Sequence, residues 1–105
     1  MSNTAVPEGY AARVVVQAKG EVDVATAAAL AAAIARALET EAGDRVVVVI
    51  DLGQVCFIDA SGINVLVKSA RRARAGGGTL VLRSPSHAVR RLLHVLHLTD
   101  VLAVE

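Results

Sequence analysis

The spacing of apolar positions divides the chain into stretches that alternate between strand-like and helix-like periods. Val14 to Ala18 reads as a strand, closed by the turn-forming Gly20. From roughly Ala25 to Glu39, Leu30, Ile34 and Leu38 recur at every fourth position among alanines, which predicts a helix ended by Gly43. Asp23 and Thr26 stand near its start, where a side-chain oxygen can accept an orphan backbone N–H. Arg45 to Leu52 contains VVVVI without alternation, the mark of a strand buried on both faces in a parallel sheet. Within CFIDASGINVLVKSA the apolar period then changes, at Ser61, from about two to about three and a half. A second helix follows to Arg74, stopped by Gly76, Gly77 and Gly78. Thr79 to Arg83 is the next strand, and a third helix over Ser86 to Leu96 is introduced by Ser84 and Pro85. DVLAV supplies a last short strand. Met1 to Ala12 carries Pro7 and Gly9 without a clear period and is read as a loose arm or a short edge strand. Strands alternate with helices, so the expectation is an α/β fold, with residues 13–105 as a single domain around a mostly parallel sheet.

The second helix has two unlike faces. Turning about 100° per residue from Ser61, the apolar Ile63, Leu66, Val67, Ala70 and Ala73 gather opposite the serine and form the predicted core face. Ser61, Asn64, Val65, Lys68, Arg71 and Arg72 form an outward ridge, in which Val65 is the one apolar member. It is either an isolated surface valine or the apolar centre of a contact surface. Ser61 likewise has two readings. As an N-cap its hydroxyl accepts an N–H of the first turn, worth about 1 kcal/mol. Alternatively it carries chemistry: the free N–H groups and positive dipole of a helix start tolerate a phosphate on that hydroxyl. The phosphate would add about 1.5 to 2 negative charges next to Asp59, acting on whatever docks there.

Composition narrows the function classes. Hydrophobic residues make up 54% of the 105, enough for a real core, whereas aromatics at 2% leave no set of rings for stacking nucleic-acid bases. Eleven Lys and Arg against ten Asp and Glu give a net charge of +1, too small to draw the molecule onto DNA or an anionic membrane. The N-terminal residues show no signal-peptide pattern and no apolar run reaches the ~20 residues of a membrane span, so a cytoplasmic protein is expected. Cys56 is the sole cysteine and is read as a small core residue at a strand end, not as a reactive thiol.

Other signals point away from chemistry. His87, His94 and His97 share one side of the third helix with Arg90, but no cysteine or carboxylate completes a metal site, so a solvated basic face is expected. AGGGT precedes a strand and lacks a Lys-Ser or Lys-Thr pair, so it is a turn and not a phosphate loop. RRARAG places cations at a helix end, complementing its dipole. A serine hydrolase is disfavoured because DASGI lacks the first glycine of a nucleophile elbow and all three histidines follow on a helix that faces them outward.

Taken in order, GEVD at Gly20 to Asp23, the apolar strand ending in Asp51 and Leu52, FIDASGI at Phe57 to Ile63, the glycine-rich turn, TLVL and SPSHAVRRLL resemble the STAS domain of bacterial anti-sigma factor antagonists. The resemblance runs from about Val14 to Val104. It implies a STAS fold, a mixed, mostly parallel sheet of about four to five strands with α-helices packed beside it. It also implies that Ser61, directly before Gly62, is phosphorylated by an anti-sigma factor that is itself an ATP-dependent serine kinase. The unphosphorylated domain would bind that kinase and free a sigma factor; the phosphorylated domain would let go until a serine phosphatase restores it. On this resemblance Asp59 orients the serine or caps its loop, Glu21 and Asp23 form a turn in partner contact, and Gly62, Asn64, Val65 and Lys68 complete the docking ridge. The chain itself would need no cofactor and no metal. Ala60 departs from the commonest pattern, where many relatives have a second hydroxyl, and the N-terminal arm matches poorly. The alternative of the same fold class is a STAS subunit of a stress-sensing complex or a lipid-transport assembly.

Overall fold

A computed structural model describes residues 9–10, 12–40 and 45–105. They form β1 (Ala12–Val22), α1 (Val24–Thr40), β2 (Val46–Ile58), α2 (Ala60–Ala75), β3 (Thr79–Arg83), α3 (His87–Val95) and β4 (Ala103–Val104). The strands pair in the order β1-β2-β3-β4, and each described pairing is parallel. Parallel neighbours cannot be joined by a tight turn, and α1, α2 and α3 supply the crossovers. Most of the arm expected at residues 1–12, and Gly43 as the stop of α1, lie outside the described residues; Ala12 already belongs to β1.

The centre of the sheet is β2. Val48, Val49 and Ile50 are fully buried, as a strand covered on both faces requires. Val46, Val48, Ile50 and Leu52 join Ile34 of α1, Leu66 of α2, Leu80 and Leu82 of β3, Leu93 of α3 and Leu102 in one apolar cluster. Each of these large side chains removes on the order of 1.5–3 kcal/mol of apolar surface from water, so the aliphatic core compensates for the lack of rings.

Two strands run further than the apolar pattern predicted. Gly20 does not close β1: it sits inside the strand with φ +69, next to a register shift between Gly20 and Glu21, a bulge conformation that glycine adopts without a Cβ penalty. The ladder resumes beyond it as Glu21↔Phe57 and Val22↔Ile58, which carries β2 on to Ile58 instead of ending near Leu52. Past Asp51↔Arg83, however, β2 has no β3 neighbour. In that extension Val55 and Ile58 stay buried while Gly53, Gln54, Cys56 and Phe57 are exposed. Cys56 is therefore a surface thiol and not a core residue, because the strand that would cover it has already ended.

At the other end of α2, Gly76 N–H reaches the carbonyls of Arg72 and Ala73, and Gly78 N–H donates to Ala73 O at 2.8 Å. Gly77, at φ +83, makes the reversal between these two glycines. Arg74, from the basic run at this end, donates to the carbonyls of Asp100 and Val101 and so fastens α2 to the segment before β4. The third helix starts one residue later than predicted, with Ser86 Oγ accepting from Val89 N–H. Its buried residues are Val89 and Leu93; Leu92 is half-buried, and Leu96 is 46% exposed because the helix ends at Val95. His87, Arg90 and His94 lie on its solvent side, and His97 follows the helix, also exposed.

Arg13 of β1 and Arg83 of β3 both bind the Glu105 carboxylate, Arg83 Nε at 2.8 Å. The hydrogen bond from Arg83, then that from Arg13, lowers the Glu105 pKa below the ordinary glutamate value. A depressed folded-state pKa gives a contribution present above the ordinary glutamate range and lost as pH falls through the folded value. Glu105 and Arg83 keep solvent contact while the Arg13 side chain is largely covered, so the screened bond from Arg83 is worth under about 1 kcal/mol. Glu105→Gln should thus be slightly less stable than the parent at pH 7 and indistinguishable from it at low pH. Urea melts across that range check this, and a gap that widened toward low pH would refute it.

Candidate functional site

The C-terminal ends of β1 and β2 lie side by side and feed α1 and α2, so the two motifs that are far apart in sequence meet at one end of the sheet. Asp59 N–H donates to Val22 O at 3.0 Å, tying the two strand exits together. Carboxyl ends of parallel strands, where helices begin, are where open α/β sheets place binding sites.

Asp59, not Ser61, is the N-cap of α2. Its backbone is extended (φ −103, ψ −172), and Oδ1 accepts from Ser61 N at 2.8 Å and Gly62 N at 3.2 Å. A carboxylate two residues ahead reaches these first-turn N–H groups better than a serine already inside the helix. The capping role proposed for Ser61 is therefore filled by Asp59, and the Ser61 side chain is released from it. The same bonds change the expected setting of a phosphate: the Ser61 and Gly62 N–H groups are occupied by a carboxylate and are not free to cradle it. A phosphoryl group on Ser61 would instead carry its charge outward, beside a fixed negative neighbour.

Gly62 is buried, and a Cβ there would lie 2.6 Å from Ile58 Cγ1 and 2.7 Å from Val22 Cγ1. The missing side chain is what lets the start of α2 sit directly on the two strand exits. Gly62→Ala should cost on the order of 1–3 kcal/mol as the first turn lifts. Thermal unfolding checks this, and amide shifts confined to Asp59 to Ile63 would locate the cost. Gly62 thus positions Ser61 from beneath and is not itself on the surface.

The ridge is only partly as predicted. Ser61 is half-buried, and Asn64 and Lys68 are exposed. Val65 is half-buried and packed against the core cluster, so it is not the exposed apolar centre of the ridge. Val67, expected in the core face, is also half-buried, whereas Ile63, Leu66, Ala70 and Ala73 are buried as predicted.

Glu21 and Asp23 come to the same end but do not form a turn together. Glu21 is an exposed strand residue opposite Phe57. Asp23 begins α1: its Oδ1 accepts from Ala25 N at 3.0 Å and Thr26 N at 3.2 Å, and its own N–H donates to Thr26 Oγ1 at 3.0 Å. The Thr26 hydroxyl in turn donates to Glu21 O at 2.8 Å. This reciprocal cap fixes the approach of α1 to the site. Two exposed apolar residues at this end escaped the sequence reading: Val24, 78% exposed at the first position of α1, and Phe57, 51% exposed. Alternation gave no signal for Phe57, which shares the parity of the buried Val55; the irregular register between β1 and this part of β2 breaks the period.

Among the described residues no group of three or more histidine, cysteine, aspartate or glutamate side chains is placed to hold a metal ion. No described helix is long and apolar enough to cross a membrane.

A family model described as STAS domain matches residues 3–105. The match begins inside the segment read from sequence as an arm. Among solved structures, the chain is similar to the anti-sigma factor antagonist SpoIIAA in its unphosphorylated form, with a TM-score of 0.72, 22% identity, and 89% of this chain and 80% of that one covered. The phosphorylated form of the Bacillus cell fate determinant SpoIIAA matches with a TM-score of 0.66, 22% identity, and 87% and 80% covered. A sulfate transporter family protein from Wolinella succinogenes matches with a TM-score of 0.73, 21% identity, and 95% and 79% covered. At these identities the likeness concerns the fold, which this chain shares with antagonists and transporter proteins alike.

Proposed function

The chain belongs to the STAS-domain family, and on that premise we propose that it is an anti-sigma factor antagonist switched by phosphorylation of Ser61. The unmodified domain, residues 13–105, binds an anti-sigma factor that is also a serine kinase and thereby frees a sigma factor. Phosphate on Ser61 releases the kinase, and a serine phosphatase reverses the change. ATP and Mg²⁺ belong to the partner; this chain supplies an acceptor hydroxyl and a docking surface in the cytoplasm and performs no catalysis.

The observation that carries this reading is the division of labour at the start of α2. Asp59 takes the capping bonds, Gly62 takes the packing, and Ser61 is left half-exposed between them with no structural duty that its hydroxyl must fulfil. A residue so placed can gain a phosphate without unfolding the helix. The effect then falls on whatever touches Ser61, Asn64, Lys68, Glu21 and the rim of α1 near Asp23.

The second reading, a STAS subunit of a larger transport or stress-sensing assembly, is favoured by the similarity to the transporter protein of Wolinella succinogenes. A pull-down from the source cell with unmodified and Ser61→Glu baits distinguishes them. Capture of an ATP-binding anti-sigma kinase by the first bait and its loss from the second supports the switch. Capture of the same transporter or stress-complex subunits by both baits would replace it with the second reading.

A further inference from the structure

Beyond Asp51 the β2 strand keeps its β1 neighbour to Ile58 but has lost β3, so among the described residues one backbone edge of Gly53 to Ile58 faces no strand. Beside that edge lies a groove of about 180 Å³, walled on one side by Cys56, Phe57 and Ile58 and on the other by Ala88, Val89 and Leu92 of α3. Phe57 is 51% exposed, and Val95, one turn on from Leu92 along α3, is 62% exposed. Ala88, Leu92 and Val95 fall on one strip of the helix by their spacing.

The groove's own walls carry cations and no anion: Gly53 to Ile58 is uncharged and α3 carries Arg90 and Arg91 with no acidic residue, the nearest acids in sequence being Asp51 and Asp59 at the two ends of the strand segment. Arg91 lies next to the apolar strip, between Ala88 and Val95.

We propose that this groove is a docking site for an extended, acidic peptide segment of a partner protein, which adds a strand to the open edge of β2 and seats an apolar side chain between Phe57 and Leu92. An unpaired strand edge offers backbone donors and acceptors at strand spacing, which only an extended chain can match. A groove of this volume accepts one large apolar side chain, and the cationic helix selects acidic flanks. The groove meets the end of the sheet that carries Ser61 at Phe57 and Ile58, but its occupant is read by peptide binding to the unmodified chain, so the proposal stands or falls independently of whether Ser61 accepts phosphate.

The test uses the full chain and three synthetic peptides: acetyl-Glu-Asp-Val-Leu-Val-Asp-Glu-amide, the same peptide with lysine for each acid, and the same peptide with proline for the central leucine. Proline removes the donor and the extended pairing together. The acidic peptide is expected to shift the amides of Gly53 to Ile58 and of α3, to bind more weakly in higher salt, and to outcompete both controls. Phe57→Asp and Arg91→Glu, both at exposed positions, should each weaken it by about fivefold or more. Equal binding of the three peptides, no binding at all, or shifts mapping to α2 would overturn the proposal. Concentration-dependent dimerisation of the free chain, abolished by Phe57→Asp, would assign the groove to a second copy instead.

Discussion

Replacing Gly78 by alanine is expected to lower stability by about 3 kcal/mol, at the upper end of what overpacking costs. A Cβ at this position would stand 2.3 Å from Val46 O and 2.8 Å from Val46 N. Both are main-chain atoms of a central strand, so no side-chain rotation relieves the overlap. Gly78 cannot retreat either, since its N–H is bonded to Ala73 O and the next residue enters β3. For a domain of this size the melting temperature should fall by more than about 10 °C. Gly53→Ala is the control: at this exposed position its Cβ would meet only side-chain atoms, Asp51 Oδ1 at 3.1 Å and Ser84 Cβ at 3.7 Å, and a small change is expected. Equal losses from the two variants would show that backbone crowding at Val46 is not the cause.

The second large effect concerns affinity. Against the partner captured by the unmodified chain, Ser61→Glu should bind at least about tenfold more weakly, the scale on which an uncompensated like charge acts across an interface. Ser61→Ala should bind as the parent does. The reason lies in Asp59, whose carboxylate already takes the N–H groups of Ser61 and Gly62. A second negative group finds these two donors already taken and stands beside the Asp59 carboxylate. Both variants should melt within about 0.5 kcal/mol of the parent, as expected for a partly exposed site whose hydroxyl is not the cap. Calorimetric titration and thermal melts on the same samples check both statements. Undiminished affinity in Ser61→Glu would remove the electrostatic basis of release.

Chain periodicity determined much of this molecule. The uninterrupted VVVVI run identified a strand covered on both faces, the triple glycine identified the end of α2, and Ile63, Leu66, Ala70 and Ala73 identified its core face. These are local properties: a buried parallel strand, a helix stop and an apolar stripe each follow from neighbours within a turn or two. The motif FIDASGI pointed to Ser61 through resemblance, and GEVD to the second segment of the site.

Tertiary structure decided what the pattern could not. Whether β1 ends at Gly20 depends on whether the ladder can resume after a bulge, and that depends on β2, more than thirty residues away. Whether Cys56 is buried depends on where β3 stops. Whether Asp59 or Ser61 caps α2 depends on the extended backbone at Asp59, held by its bond to Val22 O. Val65 looked exposed on a single-helix wheel and is half-covered, because burial is set by the elements packed against a helix and not by the helix alone. Sequence thus determined the elements and pointed to the serine; the meeting of two strand exits, distant in sequence, set the backbone at Asp59 and with it which groups around that serine are already bonded.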